Sequence, residues 1–119
     1  MLNFTDKAHI TIIDGNNHYQ PEANIDVSNE DIDFYVVNPT PFKMKVELMK
    51  NGSCIYSDLL LESQMKNYKD TVSTSDNYVV NFYKASSKID SELVLDHIAD
   101  INYEKTPVER YSFTLNISS

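Results

Sequence analysis

Along this chain the apolar residues recur mostly at every second position, in short runs broken by Asn, Asp, Ser and Pro. Successive side chains of an extended backbone point to opposite faces, so this period is that of half-buried strands joined by turns. A first strand is expected over residues 8–13, ended by the Asp14-Gly15 turn signal. Residues 18–30 are polar and contain Pro21, which reads as a loop with at most a short strand at 25–27. In "DIDFYVV" the alternation is clean, with Ile32, Phe34 and Val36 on one face and Asp33, Tyr35 and Val37 on the other. "NPTP" then ends the strand, because proline cannot donate to a central ladder.

The stretch "VELMKNGSCIYSDLL" predicts a hairpin. Asn51-Gly52 suits the two-residue loop of a type I′ turn, which requires positive φ at both positions. Uninterrupted pairing from that loop sets Leu48 opposite Ile55, Val46 opposite Ser57, Met44 opposite Leu59 and Phe42 opposite Leu61, giving one almost wholly apolar face. The other face pairs Met49 with Cys54, Glu47 with Tyr56, Lys45 with Asp58 and Lys43 with Leu60. Downstream, a short strand is expected at "KDTVS" and another at "YVVNFYK", with Tyr78, Val80 and Phe82 inward. Residues 87–103 fit neither period well: Ser87 and Asp90 form a capping-box variant, yet the apolar residues that follow share no helical face, which favours a strand at 93–97. The last run, "RYSFTLNIS", directs Tyr111, Phe113, Leu115 and Ile117 to one side.

Seven to eight short strands with regularly spaced turn signals predict an all-β fold, with residues 1–119 as a single β-sandwich domain. The strand spacing and total length resemble an immunoglobulin-like antiparallel sandwich; a jelly-roll-like sandwich or small barrel is the alternative. The two cysteines and the tryptophan that mark antibody domains are absent, so the likeness is one of architecture.

Charge changes the functional picture. Ten Lys and Arg stand against 18 Asp and Glu, a formal net charge of −8. Such a surface repels phosphate backbones, so direct nucleic-acid binding is not expected. Phe, Tyr, Met, Ile, Asn and Lys, which have AT-rich codons, far outnumber Gly, Ala, Arg and Pro. That balance points to a low-GC bacterium or one of its phages or mobile elements. The opening residues have no basic stretch followed by an apolar one, and no long apolar run occurs, so no signal peptide, transmembrane segment or membrane contact is expected and the location is read as cytoplasmic or virion-associated.

Chemistry is sparse. Cys54 is the single cysteine, which rules out an intramolecular disulfide and a thiolate zinc site. Two glycines cannot build a phosphate-binding loop, and no nucleophile elbow or HExxH motif occurs. His97, beside Asp96 and Asp100, and the carboxylates Asp26, Glu30, Asp31 and Asp33 are the best candidates for catalysis or calcium binding, but neither set has a recognised spacing. The expectation is a non-enzyme without cofactor, metal or catalytic residues.

Surface is what remains. If the neighbouring strands share its sheet, the second face of the hairpin gathers Tyr35, Met49, Cys54, Tyr56, Leu60 and Tyr83. Tyrosine and methionine are enriched in interfaces, and a contiguous exposed apolar patch marks a contact site. The sequence therefore predicts a non-catalytic protein-binding or structural module, as part of a virion or as an accessory protein, that meets a protein partner or a second copy of itself through that face. The alternative is a small acidic inhibitor that occupies the basic groove of a host nucleic-acid-handling protein.

Overall fold

The computed structural model describes residues 7–85 and 103–117. Nine strands follow one another: β1 (His9–Asp14), β2 (Asn17–Tyr19), β3 (Asn24–Val27), β4 (Asp31–Asn38), β5 (Met44–Lys50), β6 (Ser53–Leu60), β7 (Gln64–Thr71), β8 (Ser75–Lys84) and β9 (Glu109–Ile117). They form a four-stranded sheet in the order β2-β1-β4-β7 and a five-stranded sheet in the order β3-β9-β8-β5-β6. The two sheets pack as a sandwich, and every pairing is antiparallel except β3 with β9. The strands at 8–13, 25–27 and 31–37 and the C-terminal run lie where the alternation put them, whereas β2 falls in the segment read as loop. The strand at 93–97 and His97 lie outside the described residues.

The inward positions of the alternating runs fill one core. Ile10, Ile12, Ile32, Phe34 and Val36 line one sheet, and Val46, Leu48, Tyr78, Val80, Phe82, Phe113 and Leu115 line the other. Phe34 closes the gap between the sheets, with its ring centroid 5.1 Å from that of Tyr78 and 6.0 Å from that of Phe113. Full burial of one such side chain contributes ~1.5–3 kcal/mol.

Polar clamps hold the open sides. Lys50 at the end of β5 lies 2.8 Å from the Asp70 carboxylate, and the Tyr78 hydroxyl donates to the same carboxylate at 2.7 Å. Burial and the Asp70 charge together push the Tyr78 phenol far above its ordinary range. At the β6–β7 side the Tyr68 hydroxyl donates to Asp58 at 3.1 Å, and Lys66 lies 3.0 Å from that carboxylate. The Asn38 side chain, wholly buried at the end of β4, faces three carbonyls, those of Phe42 (2.7 Å), Leu60 (3.1 Å) and Leu61 (3.1 Å).

The hairpin departs from uninterrupted pairing. Asn51 and Gly52 adopt φ of 50° and 88°, as a type I′ loop demands, and Lys50 pairs with Ser53 and Met49 with Cys54. A β-bulge follows, in which Ile55 is the extra residue and Leu48 meets Tyr56. From there each pair is displaced by one residue, and the faces of β6 exchange. Val46 now faces Asp58 and Met44 faces Leu60. The exchange buries Leu60 completely and leaves Ser57 exposed, whereas uninterrupted pairing would have turned Ser57 to the core and Leu60 to water. The same exchange turns Asp58 inward, where Tyr68 and Lys66 meet its carboxylate, and moves Leu59 to the outer face.

Candidate docking face

The six residues expected to share an outer face divide three ways. Leu60 is a core residue, and Tyr56 turns inward beside it. The Tyr56 ring stacks on Tyr68 of the opposite sheet at 4.5 Å, and its hydroxyl donates to the Lys69 carbonyl at 2.5 Å. Both corrections follow from the bulge. Met49, Cys54 and Tyr83 do lie together on the outside of the five-stranded sheet, where the register runs Cys54–Met49–Val79 in one row and Leu59–Lys45–Tyr83 in another. Tyr35 is on the outside of the other sheet, because β4 pairs with β1 and β7 and not with the hairpin.

The outer face of the five-stranded sheet is largely closed. Met49, Val79 and Tyr83 are half-buried, and the Asn81 Oδ1 and Tyr103 hydroxyl oxygens are buried. Burial pushes the Tyr103 phenol up to about 12. Burial, followed by the charge and hydrogen bond of Glu47, also raises the Tyr83 phenol. Lys45 sits 5.0 Å from the Tyr83 ring centroid and 5.5 Å from that of Tyr103, and 3.5 Å from Glu47. Its charge is occupied. Cys54 is exposed at the rim, with its Sγ donating to the Tyr56 carbonyl at 3.3 Å.

The outer face of the four-stranded sheet is more open. Its register places His9, Val37 and Met65 in one row, Thr11, Tyr35 and Asn67 in the next, and Ile13, Asp33 and Lys69 in a third. Met65 retains 53% of its exposure and Tyr35 36%, with Val37 and Ile13 half-buried beside them. Met65 was missed by sequence reasoning. In "QMKNYKDT" only Tyr68 marks the inward period, and the surrounding polar residues hide the alternation.

At the far end of this face lies a groove of about 730 Å³, lined by Ile13, Glu30, Asp31, Asp33, Lys69 and Asp70 among others. Buried Asp14 shapes its wall by accepting hydrogen bonds from the Ser28 amide (2.8 Å), the Asn29 amide (3.1 Å) and Asn29 Nδ2 (2.6 Å). Gly15 sits at φ 61°, and a Cβ there would come within 3.1 Å of Asn29 Nδ2. Glycine is what lets the 28–29 loop close on Asp14.

The carboxylates considered for calcium are separated. Asp26 lies on β3 in the five-stranded sheet, and Asp31 and Asp33 lie on β4 in the other. Among the described residues no group of three or more His, Cys, Asp or Glu side chains is placed to hold a metal ion. His9 Nδ1 lies 2.8 Å from the Lys7 carbonyl, the hydrogen-bond distance of the Nδ1–H tautomer, and His18 is on β2. Among the described residues no helix is long and apolar enough to cross a membrane.

Comparison with known proteins supports the architecture. No protein-family model matches the chain, and no curated protein matches it. Among solved structures the chain is similar to SSP-19 of Caenorhabditis elegans, described as an MSP-domain protein like family member. The superposition has a TM-score of 0.50 and covers 83% of this chain and 95% of that chain, at 14% identity. The fold is an immunoglobulin-like β-sandwich. At so low an identity the likeness establishes nothing beyond that fold, and a β-sandwich hosts many functions, so the site must argue for itself.

Proposed function

We propose that this immunoglobulin-like domain is a non-catalytic protein-binding module whose contact surface is the outer face of the four-stranded sheet. The observation that supports this is the cluster of Ile13, Tyr35, Val37 and Met65 on neighbouring positions of three adjacent strands, with Met65 and Tyr35 exposed. A strand face that meets only water is ordinarily polar, and leaving apolar area in water forgoes ~25 cal/mol per Å². Methionine and tyrosine are residue types that interfaces enrich.

A photo-crosslinking residue tests the reading. Placed at Met65 in cells that make the protein, it is expected to yield a discrete protein adduct, whereas the same residue at exposed Asn77 on the other sheet yields none. Equal yield at the two positions, or none at either, would overturn the assignment of this face. The mass of the adduct separates a second copy of the chain from a different protein.

A further inference from the structure

The outer positions of β4 run Val37, Tyr35, Asp33, Asp31, two apolar residues and then two carboxylates. Alternate residues of a strand are ~6.8 Å apart, so this line changes from apolar to acidic over ~20 Å. On the neighbouring strand Met65 lies beside Val37, and the groove residues Lys69 and Thr71 lie beside Asp33 and Asp31, with the Thr71 hydroxyl donating to Asp31 at 3.1 Å. At the acidic end Glu30 joins them, and among the described residues Lys69 is the one cation lining the groove. Asp70, the remaining carboxylate there, is held by Lys50. No ion pair of Glu30, Asp31 or Asp33 forms among the described residues.

We infer that the occupant of this face is an extended segment of another protein that carries apolar side chains and, next along the strand, lysine or arginine. The inference rests on the docking-face reading above and adds the chemistry of the partner. The carboxylates alone would be an ordinary solvated edge; their alignment with the exposed apolar pair gives the face a direction. Charge complementarity selects a basic end for the segment, because opposed potentials favour encounter and like charges oppose it. The net charge of −8 acts in the same sense over the whole surface and makes a second copy the poorer occupant. The groove has room for a long cationic side chain, whose methylenes would lie along Ile13 while its head reaches Asp31 or Asp33. An extended segment matches the two-residue period of the face.

Sorting a displayed library of random peptides, each of about twelve residues to span the face, on the whole domain tests the inference. Enriched peptides are expected to combine apolar residues with Lys or Arg at two-residue spacing and to bind less tightly as salt rises. They should bind about tenfold more weakly to the Asp31→Asn/Asp33→Asn domain and to the Met65→Ser domain. Peptides that require Met65 but tolerate loss of both carboxylates would overturn the basic partner and leave the docking face standing. Peptides indifferent to Met65, acidic peptides, or no enrichment at all would overturn the inference, and the first and last of these would overturn the docking face with it.

Discussion

Asn38→Ala is the sharpest test of how the two sheets are joined. Asn38 has no exposed surface; its Nδ2 faces the carbonyls of Phe42, Leu60 and Leu61, and its Oδ1 accepts from the Thr40 amide (3.1 Å) and hydroxyl (2.6 Å). An amide nitrogen carries two hydrogens, so at most two of the three carbonyls are fully satisfied at once. Truncation removes both donors, and the Leu60 carbonyl, which is buried, then has no replacement from water. A buried acceptor left unmade costs ~1–3 kcal/mol, whereas the Phe42 carbonyl lies where water can reach it and costs less. The total is ~3 kcal/mol, a substantial part of the ~5–15 kcal/mol that holds a domain of this kind together. Urea unfolding followed by circular dichroism should show the midpoint falling with an unchanged slope. Asn38→Asp should be at least as damaging, since it sets an acceptor against three carbonyls, while exposed Asn67→Ala should stay within ~0.5 kcal/mol of the parent. An Asn38→Ala domain as stable as the Asn67→Ala domain would refute the claim that this amide ties the end of β4 to the β6–β7 corner.

Phe34→Ala should cost ~3–5 kcal/mol, because the ring bridges both sheets and its removal leaves a cavity against Tyr78 and Phe113; a thermal melt shifted by only a degree or two would contradict that packing. Gly15→Ala should destabilise by ~1–2 kcal/mol through its positive φ and the Asn29 contact, and should speed hydrogen exchange of the Ser28 and Asn29 amides that donate to Asp14; unchanged exchange would remove the role given to Gly15. For Asp76, burial acts to raise the carboxyl pKa, but the Ser73 amide, the Asn51 side chain and the Lys50 charge outweigh it and hold the pKa below its ordinary value. A depressed folded pKa means stability that is fully present above the unfolded value of ~3.9 and lost as pH falls through the folded one. Asp76→Asn should therefore be less stable than the parent near neutral pH and converge with it in strong acid; a constant difference at all pH values would show that the Asp76 charge does not contribute.

The buried faces were legible because the inward positions in the middle of β1, β4, β8 and β9 are apolar residues at period two, the polar inward residues Asp14, Asn38 and Asp76 standing at or near strand ends. Strand β2 was not legible, since three residues with only Tyr19 partly covered carry no period. For β7 the inward set includes Lys66 and Asp70, whose charges are met by Asp58 and Lys50 across the sandwich. Those partners come from distant parts of the chain, so a local reading counts both residues as surface. Which strands share a sheet was likewise hidden: β4 and β5 are consecutive yet belong to opposite sheets, and nothing local in "NPTP" distinguishes a hairpin from a crossing between sheets.

The single residue Ile55 decides where the exposed apolar surface of this protein lies. With uninterrupted pairing, Tyr56 and Leu60 would stand outside beside Met49 and Tyr83, and the five-stranded sheet would carry the larger apolar face. The turn fixes only the first two pairs. Beyond them the choice is between an inward set of Ile55, Ser57 and Leu59 and one of Tyr56, Asp58 and Leu60, in which Tyr56 stacks on Tyr68 and the Asp58 carboxylate is met by Tyr68 and Lys66. Inserting Ile55 as a bulge keeps the type I′ turn and selects the second set at the expense of one unpaired residue in the ladder. The outer face of the five-stranded sheet thereby loses Tyr56 and Leu60 and gains Leu59, and the apolar side chains Met49, Leu59, Val79 and Tyr83 on it are half-buried. Across the sandwich no such exchange occurs: β4 and β7 pair without a break from Asp31–Thr71 to Asn38–Gln64, so Tyr35, Val37 and Met65 have no inward alternative. Their exposure is fixed by a register that the core residues Ile32, Phe34 and Val36 hold in place, which is why substitutions on this face can test docking without disturbing the fold.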